Sequence, residues 1–168
     1  MHQNKTIIIG LGNEYISDDG IGIHTIRELK NNIPSNNYKI EELSIGGIEL
    51  LDHISGYERA IIVDAFITQT QPSGTIYRYI QPATEDGLRL KSSHQIDLPQ
   101  VLGLARALNI KIPNEIIIFG VEAEDITTFA LKCTKAVEAA IPRLVKLICS
   151  ELKYTNDKLN SKSLEIIN

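Results

Sequence analysis

Apolar runs alternate with helical patterns along this chain. Lys5–Gly10 reads as a fully buried strand, three isoleucines running into a glycine turn. Gly20–Lys30 follows with Ile23, Ile26 and Leu29 near one face, the spacing of an amphipathic helix. Tyr38–Leu43 alternates as a weaker strand, Gly47–Ile54 is a short helix, and Arg59–Ala65 ("RAIIVDA") is a second buried strand. Gly74–Ile80 ("GTIYRYI") has one wet face, which suits an antiparallel edge. Leu98–Leu108 is helical and Glu115–Val121 ("EIIIFGV") is the last core strand. A long helix is predicted over roughly Ala130 to Lys153, with a kink or break near Ala139 because Pro142 cannot sit in a helix interior. From Tyr154 the chain turns polar and reads as a loose tail. The pattern predicts an α/β fold: a five-stranded, mostly parallel twisted sheet with one antiparallel edge strand and helices on both faces. One domain over residues 1–153 and a tail over 154–168 are expected.

Composition changes this picture little. The chain has 168 residues, enough for one domain with a real core. Its hydrophobic share of 43% and charged share of 23% are ordinary for a globular protein. A net charge of −4, with acids and bases mixed, argues against a nucleic-acid partner. No apolar run is long enough for a signal peptide or a bilayer span, so a cytoplasmic location without membrane association is expected. Cys133 and Cys149 lie more than three turns apart in one helical stretch, which separates them too far for a disulfide and leaves them as buried thiols.

Chemistry concentrates where strands end. "IIIGLGNEYISDDGIG" (7–22) begins as a nucleotide-binding turn, but Tyr15 stands where a dinucleotide fingerprint needs its third small residue. Asp18 and Asp19 then occupy the place of a phosphate at a helix start. Ser17 or Asp18 can serve as the N-cap, which accounts for one acid. Gly20 and Gly22 in the first turn imply that another backbone or a ligand approaches closely. Asp64 ends the apolar strand "AIIVDAF", where a carboxylate must be paired, metal-bound or exposed in a cleft. His94 lies in the polar loop "KSSHQID". Ser92 and Ser93 beside it do not make a triad by adjacency alone, and His2, His24 and His53 fit terminal, solvent-facing or helix-end positions. In open α/β sheets ligands sit beyond the carboxyl ends of strands, so Asp19, Asp64 and His94 are expected to face one crevice. Two oxygens and one nitrogen from three strand ends suit zinc, nickel, iron or manganese with positions left open. Motifs of the HExxH and GxSxG types are absent.

"GLGNEYISDDGIG", "IIVDA" and "SSH", in that order and spacing, resemble the hydrogenase maturation endopeptidases. The resemblance extends to "GIELLDHI" (47–54), to Pro72 and Gly74, and to "VEAAIPRLVKLI" (137–148), and so covers about residues 5–150. It implies a five-stranded α/β sandwich and one proteolytic cut. The cut removes the C-terminal extension of a [NiFe] hydrogenase large-subunit precursor, a transient partner, after nickel insertion. Asp19, Asp64 and His94 then correspond to the metal-contacting positions, with Asp19 and Asp64 as the catalytic carboxylates. The nickel arrives with the precursor, and no nucleotide is involved. Whether it acts catalytically or only docks the cleavage site stays open. Asn13, Glu42, Gly46 and Gly47 fall in loops that contact the precursor in this family. Here the usual Asp-Gly-Gly-Thr-x-Gly loop reads Glu42-Leu43-Ser44-Ile45-Gly46-Gly47, with Ile45 in place of threonine, which is compatible with a less typical hydrogenase. "FGVEAED" also departs from the usual glycine-and-proline pattern.

Three other readings compete. Peptidyl-tRNA hydrolases share the "GLGN" turn, but "SDDGIG" replaces their following segment and the charge suits tRNA poorly. A nucleotide-binding module is disfavoured by Tyr15 and the two acids. A non-catalytic nickel-checking or carrier partner of the precursor would use the same three ligands, and tight binding of free nickel would distinguish it.

Overall fold

A computed structural model describes residues 6–33, 38–83, 90–153 and 163–167. Four strands run parallel: β1 (Thr6–Leu11), β2 (Lys39–Leu43), β3 (Arg59–Phe66) and β5 (Glu115–Glu122). β4 (Ile76–Pro82) pairs antiparallel with β5, and β6 (Ser163–Ile167) pairs antiparallel with β4. The spatial order is β2-β1-β3-β5-β4-β6. The sheet therefore has six strands and not the expected five. The sixth comes from "SLEII", inside the stretch expected to be loose tail; its alternating apolar residues suit an edge strand, and Ile167 packs against the core. β4 keeps its predicted antiparallel sense but lies one strand in from the edge. Residues 154–162 of the predicted tail, and Lys5, lie outside the described residues.

Alternation along the central strands splits the core in two. Ile8, Ile61, Val63, Ile117 and Phe119 face α1 (Ile21–Lys30) and α5 (Ile141–Lys153). Ile7, Ile9, Ile62, Ile116 and Ile118 face α2 (Leu50–Ile54) and α3 (Leu98–Ala107). All ten are fully buried, and each contributes roughly 1.5–3 kcal/mol of transfer free energy. The long helix predicted from Ala130 begins later. α4 covers only Lys135–Glu138, a turn follows at Ala139 and Ala140, and Pro142 sits in the first turn of α5. The break is where proline's missing N–H costs nothing. Residues 130–134 instead remain in the loop after β5, because Ala130 exchanges backbone hydrogen bonds with Tyr15 and Ser17.

Two connections set the position of the site. After β1 the chain crosses through α1 to β2 on one side, and it then returns through α2 to β3 on the other. Strand order thus reverses at β1 and β3, which opens a crevice beyond their carboxyl ends. α1 reaches this point by close backbone packing. A Cβ on Gly22 would stand 2.0 Å from the Leu11 carbonyl oxygen and 2.5 Å from that of Val63. The close neighbour that the early glycines implied is the protein itself: backbone at Gly22 and the His24 ring at Gly20.

Candidate active site

The two adjacent acids at the head of α1 have opposite fates. Asp18 is fully buried and turned toward the loop after β5. It accepts hydrogen bonds from the backbone N–H groups of Glu124 (2.8 Å), Asp125 (2.9 Å) and Thr134 (2.7 Å), and from Thr134 Oγ1 (3.1 Å). It caps that loop and the start of α4, while Gly20 stands at the N-cap of α1. Neither Ser17 nor Asp18 fills the role expected of it there. Asp19 is also largely buried, but it bonds the loop after β1 instead, its Oδ2 accepting from Asn13 N at 3.0 Å. Gly12, at φ +155°, makes this turn possible, since a Cβ there would lie 2.2 Å from the Asp19 carbonyl oxygen.

Asp64 and His94 meet because residues 91–93 lie antiparallel against the end of β3. Ile67 N donates to the Lys91 carbonyl (2.7 Å) and Ser93 N to the Ala65 carbonyl (2.9 Å). Asp64 is fully buried on the α2/α3 side of the sheet. Its Oδ1 accepts from Ala65 N (2.8 Å) and Ser93 Oγ (3.1 Å), while its Oδ2 is buried without a partner. Burial pushes the Asp64 carboxyl up to about 6, against the opposing pull of His94, of the Ser92 and Ser93 hydroxyls and of Ala65 N. His94 Nε2 is likewise buried without a hydrogen bond and stands 3.6 Å from Asp19 Oδ2. Unpaired buried polar atoms are uncommon and costly. Two of them belong to Asp64 and His94, whose charges also influence each other. Backbone strain accumulates nearby, with Ser17 at φ +25° just before the acids and Gln95 at φ +51° just after His94.

The structure brings His94 to Asp19, sets its charge near enough to act on Asp64, and bonds Asn13 to Asp19. Among the described residues no three His, Cys, Asp or Glu side chains are arranged to hold a metal ion by themselves. Gly46 borders the cluster, since a Cβ there would lie 2.1 Å from the His94 carbonyl oxygen. Gly47 has φ +58° and open space around its α-carbon. Glu42 is not brought to the cluster. It points toward α1, where it bonds Arg27 Nε (3.0 Å) and Lys30 Nζ (2.7 Å), and these cations hold its carboxyl below the ordinary range despite partial burial. Cys133 and Cys149 are free thiols, and burial, with Asp18 nearby, pushes Cys133 up to about 12.

Two supporting residues escaped notice in the sequence. Ser93 holds Asp64, although its adjacency to His94 had no reading beyond a triad. Glu122 ends β5 as Asp64 stands near the end of β3, and its carboxylate accepts from Thr68 N (2.9 Å), Thr68 Oγ1 (2.6 Å), Gln69 N (2.7 Å) and Tyr77 OH (2.7 Å). It organises the chain leaving β3. An acid at the end of an apolar strand was the available signal.

A family model described as hydrogenase maturation protease matches residues 23–151, which include Asp64 and His94 and begin four residues after Asp19. The hydrogenase 2 maturation protease of Escherichia coli is 24% identical over 151 residues, covering 89% of this chain and 91% of that protein. Protein FrxA of Pyrococcus furiosus is 27% identical over 139 residues, covering 82% and 98%. Among solved structures, the hydrogenase maturating endopeptidase HybD from E. coli superposes with a TM-score of 0.73 at 22% identity, covering 97% of this chain and 96% of that one. The [NiFe] hydrogenase maturation protease HybD from Thermococcus kodakarensis gives 0.65 at 24%, covering 88% and 98%.

Proposed function

This chain belongs to the hydrogenase maturation protease family, and from that premise we propose that it removes the C-terminal extension of a [NiFe] hydrogenase large-subunit precursor once nickel is in place. Its class of activity is proteolytic, and the precursor is a transient protein substrate. The observation that carries the finer reading is the pair of buried, unpartnered atoms, Asp64 Oδ2 and His94 Nε2, the second of them 3.6 Å from Asp19 Oδ2. Carboxylate oxygen and imidazole nitrogen are fitting donors for nickel. Since these side chains do not form a complete metal site by themselves, the nickel would have to arrive already held by the precursor that carries it. The nickel would supply positive charge beside the scissile carbonyl and fix its orientation.

The chain's own residues account for the proton movements. Water attacks the scissile carbonyl carbon as a carboxylate, Asp64 or Asp19, takes its proton. The carbon–nitrogen bond then breaks, and the same proton passes to the departing amine. With its carboxyl raised to about 6, Asp64 is poised to accept a proton near neutrality and to return it. Ser93 Oγ and Ala65 N hold Oδ1 and so fix the orientation of the carboxylate; where Asp64 serves as the base, Asp19 and His94 are the groups left to face the metal.

Nickel-loaded and nickel-free precursor, incubated separately with the protein, tests the reading by intact-mass spectrometry. Loss of a C-terminal peptide from the loaded form alone is expected. Equal cleavage of both forms would overturn the nickel requirement, and a stable complex with no mass loss would overturn the proteolytic reading.

A further inference from the structure

Three large apolar side chains stand in water beside this site. Tyr15 is 50% exposed, Phe129 78% and Leu131 62%. The chain has three phenylalanines, and the other two, Phe66 and Phe119, are buried. The rings of Tyr15 and Phe129 lie stacked and near-parallel, centroids 6.1 Å apart and planes 11° from parallel. They come from the loops that follow β1 and β5, which are locked to each other. Ile16 and Phe129 form an antiparallel bridge, Ala130 N donates to Tyr15 O (3.0 Å), and Ser17 N donates to Ala130 O (3.0 Å). Asp18 clamps the same two loops from beneath. The rings are thus held outward by a rigid frame, which lowers the entropic cost of binding.

We propose that Tyr15, Phe129 and Leu131 form a docking platform for an apolar surface segment of the precursor protein, next to the bond that is cut. The inference rests on the proteolytic reading above and names what holds its substrate. The platform is continuous with the cluster. Tyr15 N donates to Asn13 Oδ1 (3.0 Å) and Asn13 N donates to Asp19 Oδ2, so the backbone that carries the Tyr15 ring is tied to the carboxylate through one residue. The cluster itself is small and polar, and it offers a folded protein little apolar area. Protein interfaces draw their affinity from a few aromatic and aliphatic anchors, and such anchors beside a protease site fit a protein substrate.

The double variant Phe129→Ser/Leu131→Ser, with Leu108→Ser as a control at the far end of α3, tests the proposal in steady-state cleavage of nickel-loaded precursor. The double variant should raise KM about tenfold or more while kcat at saturating precursor changes little, as the loss of anchor residues predicts. Leu108→Ser should change neither, and thermal melting should show all three proteins folded. An unchanged KM in the double variant overturns the platform while the protease remains. If that variant instead abolishes a dimer seen by sedimentation and leaves KM alone, a second copy of the chain covers the rings and the proposal falls. No cleavage by the unaltered protein would remove the proteolytic reading and this inference with it.

Discussion

Asp64 is held under opposing demands: burial favours its protonated form, whereas its proposed work needs the carboxylate. Its carboxyl stands at about 6 against 3.8 in an unfolded chain, so the fold binds the proton more tightly than the unfolded chain does. The associated stability is complete below about pH 4 and is lost as pH rises through about 6. Asp64→Asn should therefore melt several degrees higher than the unaltered protein at pH 7.5, a gain at most on the order of 3 kcal/mol. The gap should close by pH 4, which thermal melts across that range would check. Asp18→Ala should act in the other direction. It removes the acceptor of the part-buried N–H groups of Glu124, Asp125 and Thr134, so a loss of about 1–3 kcal/mol in chemical denaturation is expected. The sequence marked both acids of the pair but could not say which faced inward. Side-chain direction at a 3-10 turn depends on where the distant loop of residues 124–134 passes, and no local pattern carries that.

Each element of the site depends on close packing by a neighbour. β3 carries Asp64 near its carboxyl end, the 91–93 segment brings His94, and Gly46 lets the chain after β2 pass against the His94 carbonyl. Gly46 has an ordinary extended backbone at φ −153°, so alanine is conformationally acceptable there. Its Cβ would nonetheless displace His94. Gly46→Ala should lower kcat/KM by roughly tenfold or more and the melting temperature by several degrees, because the atom that must give way is backbone next to His94. Strands β1, β3 and β5 were legible because their isoleucine runs allow no other burial. The long helix was legible only in its second half. Residues 130–134 carry the same mixed polarity as a helix start, but their backbone groups are taken by Tyr15 and Ser17. Glu42 shows the same limit: an acid in the right loop position belongs to the face its strand gives it, here toward Arg27 and Lys30.

At the scale of the whole molecule, the reversal of strand order at β1 and β3 creates the site, while β6 only extends the far edge of the sheet. Ending the chain at residue 162 should lower the melting temperature by a few degrees, since five paired residues with two exposed apolar side chains are lost. Cleavage should persist within about threefold, because catalysis depends on groups several strands away. That sixth strand was hidden by its short length and by the polar stretch before it, which composition alone reads as tail. Among the described residues no helix is long and apolar enough to cross a membrane.

The central claim is that Asp64 and His94 serve one hydrolytic site. The most direct measurement is the intact mass of nickel-loaded precursor after equal incubation with the unaltered protein, with Asp64→Asn and with His94→Ala, all three verified as folded. A C-terminal peptide lost only with the unaltered protein, and rates at least about a hundredfold lower in both variants, is the predicted result. Undiminished cleavage by either variant would contradict it and place the chemistry elsewhere on the fold.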